Sequence, residues 1–146
     1  MFKIISKSSK ETRKIGELLA KDLLGGEIIG LFGDLGGGKT TFIQGLALGL
    51  KIKEPILSPT FVIFKKYKVL GHKKIKWLQH FDLYRIKSPE EIQDLGFNEI
   101  IQQKDSVSVI EWADRVLEIL PQNFLKISFR HVGKTSREIT FSTNHF

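Results

Sequence analysis

Apolar positions along the chain fall into short runs of strand length separated by stretches of helical spacing. Phe2–Ser6 reads as a short strand. Ser8 followed by Glu11 fits a capping box. Ile15, Leu18, Leu19 and Leu23 then recur on one helical face, and Gly25-Gly26 stops the helix. Glu27–Phe32 (EIIGLF) is a continuous apolar run, the pattern of a buried parallel strand. A glycine-rich loop follows, then a helical stretch from about Lys39 to Gly49. Ile56–Leu57, Phe61–Tyr67 and Ile75–Tyr84 look extended, the last with Ile75, Trp77, Gln79 and Phe81 on one side. The two longer segments pair through a loop around Gly71-His72 as an antiparallel hairpin. Ser88-Pro89-Glu90-Glu91 starts a helix that ends near Gly96, and a short helical piece over Phe97–Gln103 follows. Val107–Ile110 is another buried strand, closing in Glu111-Trp112. Phe124–Arg130 and Arg137–Ser142 are the last strands, with Gly133 in the turn between them. This order predicts an α/β sheet with a parallel centre and antiparallel additions, in one domain spanning residues 1–146.

Composition narrows the chemistry. The chain has no cysteine, which excludes disulfides, a thiolate nucleophile and Cys-based metal centres. Its four histidines are scattered without metal-ligand spacing. No apolar run approaches the roughly 18 residues of a membrane span, and Met1–Lys10 lacks the apolar stretch of a secretory signal. The expected location is therefore cytoplasmic, with no membrane partner. Net charge is 23 − 16 = +7, and Lys65–Lys76 alone carries six lysines and no acid. That segment reads either as a basic ribbon facing a polyanion such as tRNA or as a solvated hairpin in a Lys-rich chain.

The most specific signal is Gly33-Asp34-Leu35-Gly36-Gly37-Gly38-Lys39-Thr40, which matches G-x-x-x-x-G-K-[ST] at every fixed position, between a strand and a helix. In such a loop, successive backbone N–H groups wrap phosphates, and the following helix offers its positive end to the anion. Gly36, Gly37 and Gly38 allow the close approach. Lys39 supplies a cation to the β- and γ-phosphates and Thr40 a hydroxyl to Mg²⁺. Thr41 is a further phosphate contact or ordinary helix surface. Asp34 either positions water or structures the loop.

A P-loop also needs an acid at the tip of a neighbouring strand to anchor Mg²⁺. Glu111 fits that place, and Asp82 is a second candidate whose alternative is a salt bridge to Arg85. Thr60, in Ser58-Pro59-Thr60-Phe61, is either a sensor of Mg²⁺ or the γ-phosphate, or part of an inert turn. No N-K-x-D guanine signature occurs, which favours ATP over GTP. No arginine sits where a finger in cis is obvious, so hydrolysis by the isolated chain is expected to be slow.

Together, Gly33–Gly45 (GDLGGGKTTFIQG), Ser58–Phe61 (SPTF), His80–Arg85 (HFDLYR) and Glu111–Asp114 (EWAD) resemble the bacterial ATPase family of tRNA threonylcarbamoyladenosine biosynthesis, TsaE. Order and spacing agree from about Ser8 to Ser142; Gly37 departs from the family's usual alanine and Ile86 from a common leucine. The resemblance implies a P-loop NTPase-like three-layer α/β fold with a mixed parallel/antiparallel central sheet. It implies ATP and Mg²⁺ as cofactors, and slow hydrolysis that is faster with TsaD and TsaB type subunits. Those partners install the threonylcarbamoyl group on adenosine 37 of ANN-decoding tRNAs, and the ATPase supports their turnover without performing the transfer. By residue, it implies Lys39 and Thr40 as phosphate and Mg²⁺ ligands and Glu111 as the Mg²⁺-associated acid. Asp82 and Thr60 become residues needed for the cycle, and Glu11 and Thr12 positions near the base. Trp112 either packs near the nucleotide or partner, or is a core residue.

Two other classes compete. A small-molecule kinase would carry an arginine-rich lid, yet the region just after Glu111 holds Arg115 alone. A pure RNA-binding module would use the lysine ribbon and leave the P-loop without a purpose.

Overall fold

The computed structural model describes residues 1–34, 36, 38–57 and 62–143. Seven strands form one sheet: β1 (Phe2–Ser6), β2 (Ile28–Phe32), β3 (Phe64–Lys68), β4 (Trp77–Asp82), β5 (Ser106–Glu111), β6 (Leu125–His131) and β7 (Arg137–Thr143). Their order is β1-β7-β6-β2-β5-β4-β3. The central pairs β6–β2, β2–β5 and β5–β4 are parallel. The outer pairs β4–β3, β6–β7 and β7–β1 are antiparallel. The expected hairpin is present as β3–β4, with Lys68 opposite Trp77. Its connection is organised by His72, whose Nδ1 accepts from the backbone N–H groups of Lys74 and Ile75 at 3.0 and 2.9 Å.

Side chains alternate between the two faces of the sheet. On one face Ile29, Leu31, Val107, Val109 and Leu78 pack with Phe42, Ile43 and Leu46 beneath helices α1 (Ser9–Ala20) and α2 (Lys39–Gly49). On the other, Ile28, Phe81 and Ile110 pack with Ile92, Phe97, Ile101 and Val116. That layer contains α3 (Pro89–Gln93), α4 (Phe97–Ile101) and a 3-10 segment over Ala113–Ile119, kinked at Val116. The central strands are covered on both sides, which is why they read as unbroken apolar runs.

Helix α1 departs from its expected course. It ends at Ala20, and Leu23 lies beyond it, buried all the same. Leu18 is 49% exposed. Ile15 and Leu19 pack against the core as expected, but the fully buried positions of α1 are Thr12, Gly16 and Ala20, because α1 lies very close to α2. A Cβ at Gly16 would overlap the Phe42 carbonyl, one at Gly45 the Arg13 carbonyl, and one at Gly49 the Ala20 side chain. Close helix contact selects small residues, and apolar periodicity does not register them. Three smaller differences follow. Ile56–Leu57 is not a strand. The extended run expected to reach Tyr84 ends at Asp82. Ser88 occupies the N-cap of α3 without a side-chain bond, while the Glu91 carboxylate accepts from the Lys87 N–H at 2.7 Å.

Candidate nucleotide site

The carboxyl ends of β2, β4 and β5 meet where the glycine loop leaves the sheet. A Cβ at Gly33 (φ +135°) would sit 2.5 Å from the Phe129 carbonyl oxygen, so only glycine lets the loop leave β2 here. Gly38 (φ +99°) is the N-cap of α2, and no side chain bonds to that helix end. The start of a helix offers backbone N–H groups and the positive end of its dipole to an anion.

Lys39 is 5% exposed. Its ammonium donates to the Gly33 carbonyl and, at 3.1 Å, to the Asp34 carbonyl. Burial pushes it below the usual lysine range, against the opposing pull of Glu111, Asp34, Asp82 and Asp114. Its Nζ also lies 4.0 Å from the centre of the Trp112 ring. Trp112 adopts φ +59°, ψ +44°. For a bulky side chain this left-handed backbone costs on the order of 1–3 kcal/mol. Tyr84 packs against the same ring at 5.1 Å. Trp112 is thus half-buried, covering Lys39 with its ring while packing against the second core layer.

Glu111 and Asp82 are in register across β5 and β4, on the face that carries α2. Glu111 Oε1 stands 3.5 Å from Thr40 Oγ1, and its Oε2 is 2.6 Å from His80 Nε2. Burial, then the Glu111 charge, raise the Asp82 carboxyl above the usual aspartate range. The Tyr84 N–H (3.1 Å from Oδ1), His80 and Lys39 oppose that rise.

A hydroxyl and a carboxylate converging beside an open helix start suit a hard cation that keeps waters and phosphate oxygens as its other ligands. Among the described residues no group of three or more His, Cys, Asp or Glu side chains forms an all-protein cage. The donor set therefore fits Mg²⁺ held jointly with a nucleotide.

The remaining candidates divide. Thr12 is buried, with its hydroxyl 2.7 Å from Ser6 Oγ, and its Cγ2 faces Gly38. The Glu11 carboxylate is engaged in the α1 cap, accepting from the Lys7 N–H at 2.5 Å, while its own N–H donates to Ser8 Oγ at 3.1 Å. Asp34 is exposed and contributes its carbonyl to Lys39, a loop-structuring role. Gly36 is exposed with φ +76°. Thr41 is half-buried on α2. Gly37 and Thr60 lie outside the described residues.

Sequence reasoning missed Arg137. Its side chain on β7 reaches the P-loop, with Cγ 3.9 Å from where a Cβ of Gly38 would be, and its Nε is buried with no partner among the described residues. Only the sheet order, which brings β7 next to β6 and so near β2, could reveal it. Arg115, the other candidate arginine, donates to the Ile86 carbonyl at 3.2 Å.

A parallel strand, a glycine loop and a helix start, set at the carboxyl end of a mixed sheet, define an α/β P-loop-like protein. The sequence pattern of the family described as threonylcarbamoyl adenosine biosynthesis protein TsaE matches residues 6–139. The tRNA threonylcarbamoyladenosine biosynthesis protein TsaE of Treponema pallidum (strain Nichols) is 39% identical over 139 residues, covering 95% of this chain and 98% of that protein. Its namesake in Bacillus subtilis (strain 168) is 41% identical over 133 residues, covering 91% and 80%. A crystal structure of Bacillus subtilis YdiB superposes with a TM-score of 0.77 at 35% identity, covering 99% of this chain and 86% of that one. The chain belongs to the TsaE family of tRNA threonylcarbamoyladenosine biosynthesis proteins.

Proposed function

We propose that this chain is a cytoplasmic, Mg²⁺-dependent ATPase, acting as one P-loop domain over residues 1–146 and activated by TsaD and TsaB type subunits. The observation that carries the reading is the convergence of Lys39, Thr40 and Glu111 at the start of α2. Gly36, Gly37 and Gly38 and the first N–H groups of α2 hold the phosphates. Lys39 leaves the carbonyls of its own loop for the phosphate oxygens. Thr40 and Glu111 hold Mg²⁺, which supplies charge neutralisation at the β- and γ-oxygens when bound. Thr12 and Arg137 border the loop on the α1 side and orient the nucleotide. Asp82, its carboxyl raised by burial and then by the Glu111 charge, stands beside Glu111 where an attacking water is ordered; Thr60 serves the same cycle. With Arg115 tied to Ile86, the isolated chain turns over slowly and the partner completes the site. ATP turnover then resets the complex that modifies adenosine 37 of ANN-decoding tRNAs.

The test is phosphate release from ATP by the purified chain, alone and with the two partner subunits. Slow release that rises at least tenfold with the partners supports the reading. Phosphate transfer to a small acceptor would instead support a kinase.

The lysine ribbon is the candidate contact with tRNA. All six lysines of Lys65–Lys76 are exposed, along edge strand β3 and its connection to β4. The Lys66 ammonium lies 4.3 Å from the Trp77 ring, and Lys65 is 3.7 Å from the Glu54 carboxylate. Lysines on an edge strand also discourage edge-to-edge pairing. Reversing Lys66, Lys68 and Lys73 to glutamate separates the two roles. Loss of salt-sensitive tRNA binding supports contact, whereas unchanged binding with new self-association supports edge protection.

A further inference from the structure

His80 takes no part in the chemistry assigned above, yet it is fully buried in a direct bond to the acid at the centre of it. It sits on β4 opposite Val109 of β5, two residues inward from the Asp82–Glu111 pair and on the same face of the sheet. Its Nε2 is 2.6 Å from Glu111 Oε2. Its Nδ1 is buried with no partner among the described residues. A neutral imidazole has one N–H donor and one bare acceptor nitrogen. A bare nitrogen is the cheaper group to leave unpartnered, since a buried N–H without an acceptor forfeits a strong hydrogen bond. With Nδ1 unpartnered, the bond is an Nε2–H donated to Glu111 Oε2.

We propose that His80 is a positioning residue for metal binding: by holding Oε2 of Glu111, it leaves Oε1 aimed at Thr40 and the cation. Three observations converge on this. Glu111 is 3% exposed, so its charge needs a donor inside the protein. The carboxylate oxygens are divided, Oε2 to His80 and Oε1 to Thr40 at 3.5 Å. His80 itself is 0% exposed, and the β4–β5 ladder fixes its backbone, so the ring has little room to turn away. Partners of metal-side carboxylates typically change metal affinity 10–100-fold when removed.

The inference rests on Glu111 being the Mg²⁺-associated acid. Its test is titration calorimetry of the full chain with a non-hydrolysable ATP analogue, in EDTA and over a series of Mg²⁺ concentrations. In His80→Phe the Mg²⁺ needed for half its effect on affinity should rise about tenfold, while affinity in EDTA stays within about twofold. His80→Gln, whose amide reaches the same oxygen, should recover the midpoint to within about threefold. An unshifted midpoint in His80→Phe, with or without a lower melting temperature, overturns the proposal, as does a glutamine variant no better than phenylalanine. Glu111→Ala is the control. If it too leaves the Mg²⁺ midpoint unmoved, the reading of Glu111 fails; if it alone shifts, only the role of His80 fails. Nitrogen NMR of the unmutated chain decides independently of any variant: a protonated Nε2 with a bare Nδ1 is expected, and the reverse tautomer contradicts the proposal.

Discussion

Asp82 and Glu111 stand opposite one another across the parallel pair β4–β5, and burial, then the Glu111 charge, raise the Asp82 carboxyl above the usual aspartate range. Glu111 in turn has His80 Nε2 2.6 Å from its Oε2.

A raised native pKa means that folding favours the protonated form. The contribution of Asp82 to stability is therefore fullest below the unfolded value, near 3.9, and is lost as pH rises through the raised native value. Asp82→Asn removes the repulsion while keeping an acceptor for the Tyr84 N–H. Water screens part of the repulsion at this half-buried group, so we expect a gain of about 1 kcal/mol at pH 7, or roughly 2–4 °C in Tm. The gain should vanish near pH 4, and ATP turnover should fall. Thermal unfolding across pH checks this; a variant less stable at pH 7 would contradict it.

The contact between α1 and α2 is the tightest in the fold. Gly45→Ala places a methyl group against the Arg13 carbonyl. Because that neighbour is backbone, the helices must separate, at a cost of about 1–3 kcal/mol. Chemical denaturation should give a lower midpoint, and an unchanged midpoint would mean the helices pack less closely than described. Thr12 and Gly38 lie on the two sides of this contact, so nucleotide affinity should weaken in the same variant.

Trp112 covers the Lys39 ammonium at 4.0 Å. If the ammonium moves to phosphate, the ring loses a cation from its face. The chain has two tryptophans, so Trp77→Phe isolates the signal. Addition of Mg-ADP should then change Trp112 emission, and the change should be absent in Lys39→Ala. Constant emission at saturating nucleotide would show that the ring and the ammonium do not separate.

Most of the architecture was legible because its signals are local. The central strands are short apolar runs, and Gly33–Thr40 is a contiguous motif whose flanking strand and helix can be read beside it. Glu111 was legible from its place at a strand tip, and the β3–β4 hairpin from two extended runs around Gly71-His72. What stayed hidden depends on distant pairings. Arg137 comes to Gly38 only through the β7–β6–β2 order. The bond from His80 to Glu111 requires β4 and β5 to be parallel neighbours in one register. On α1 the apolar spacing finds Ile15 and Leu19, which pack against the core, but it adds the exposed Leu18 and passes over Gly16 and Ala20, which pack by being small. The strained Trp112 backbone has no counterpart in the sequence, since tryptophan has no preference for positive φ.

The account turns on Lys39 and the loop around it holding a triphosphate together with Mg²⁺. Titration calorimetry of Mg-ATP into the purified chain, beside Lys39→Ala, addresses this without any partner. One saturable site is expected, weakened at least tenfold in the variant, a loss of about 1.4 kcal/mol or more. The absence of binding heat, with the partner subunits present as well as without them, or equal affinity in the two proteins, would contradict it.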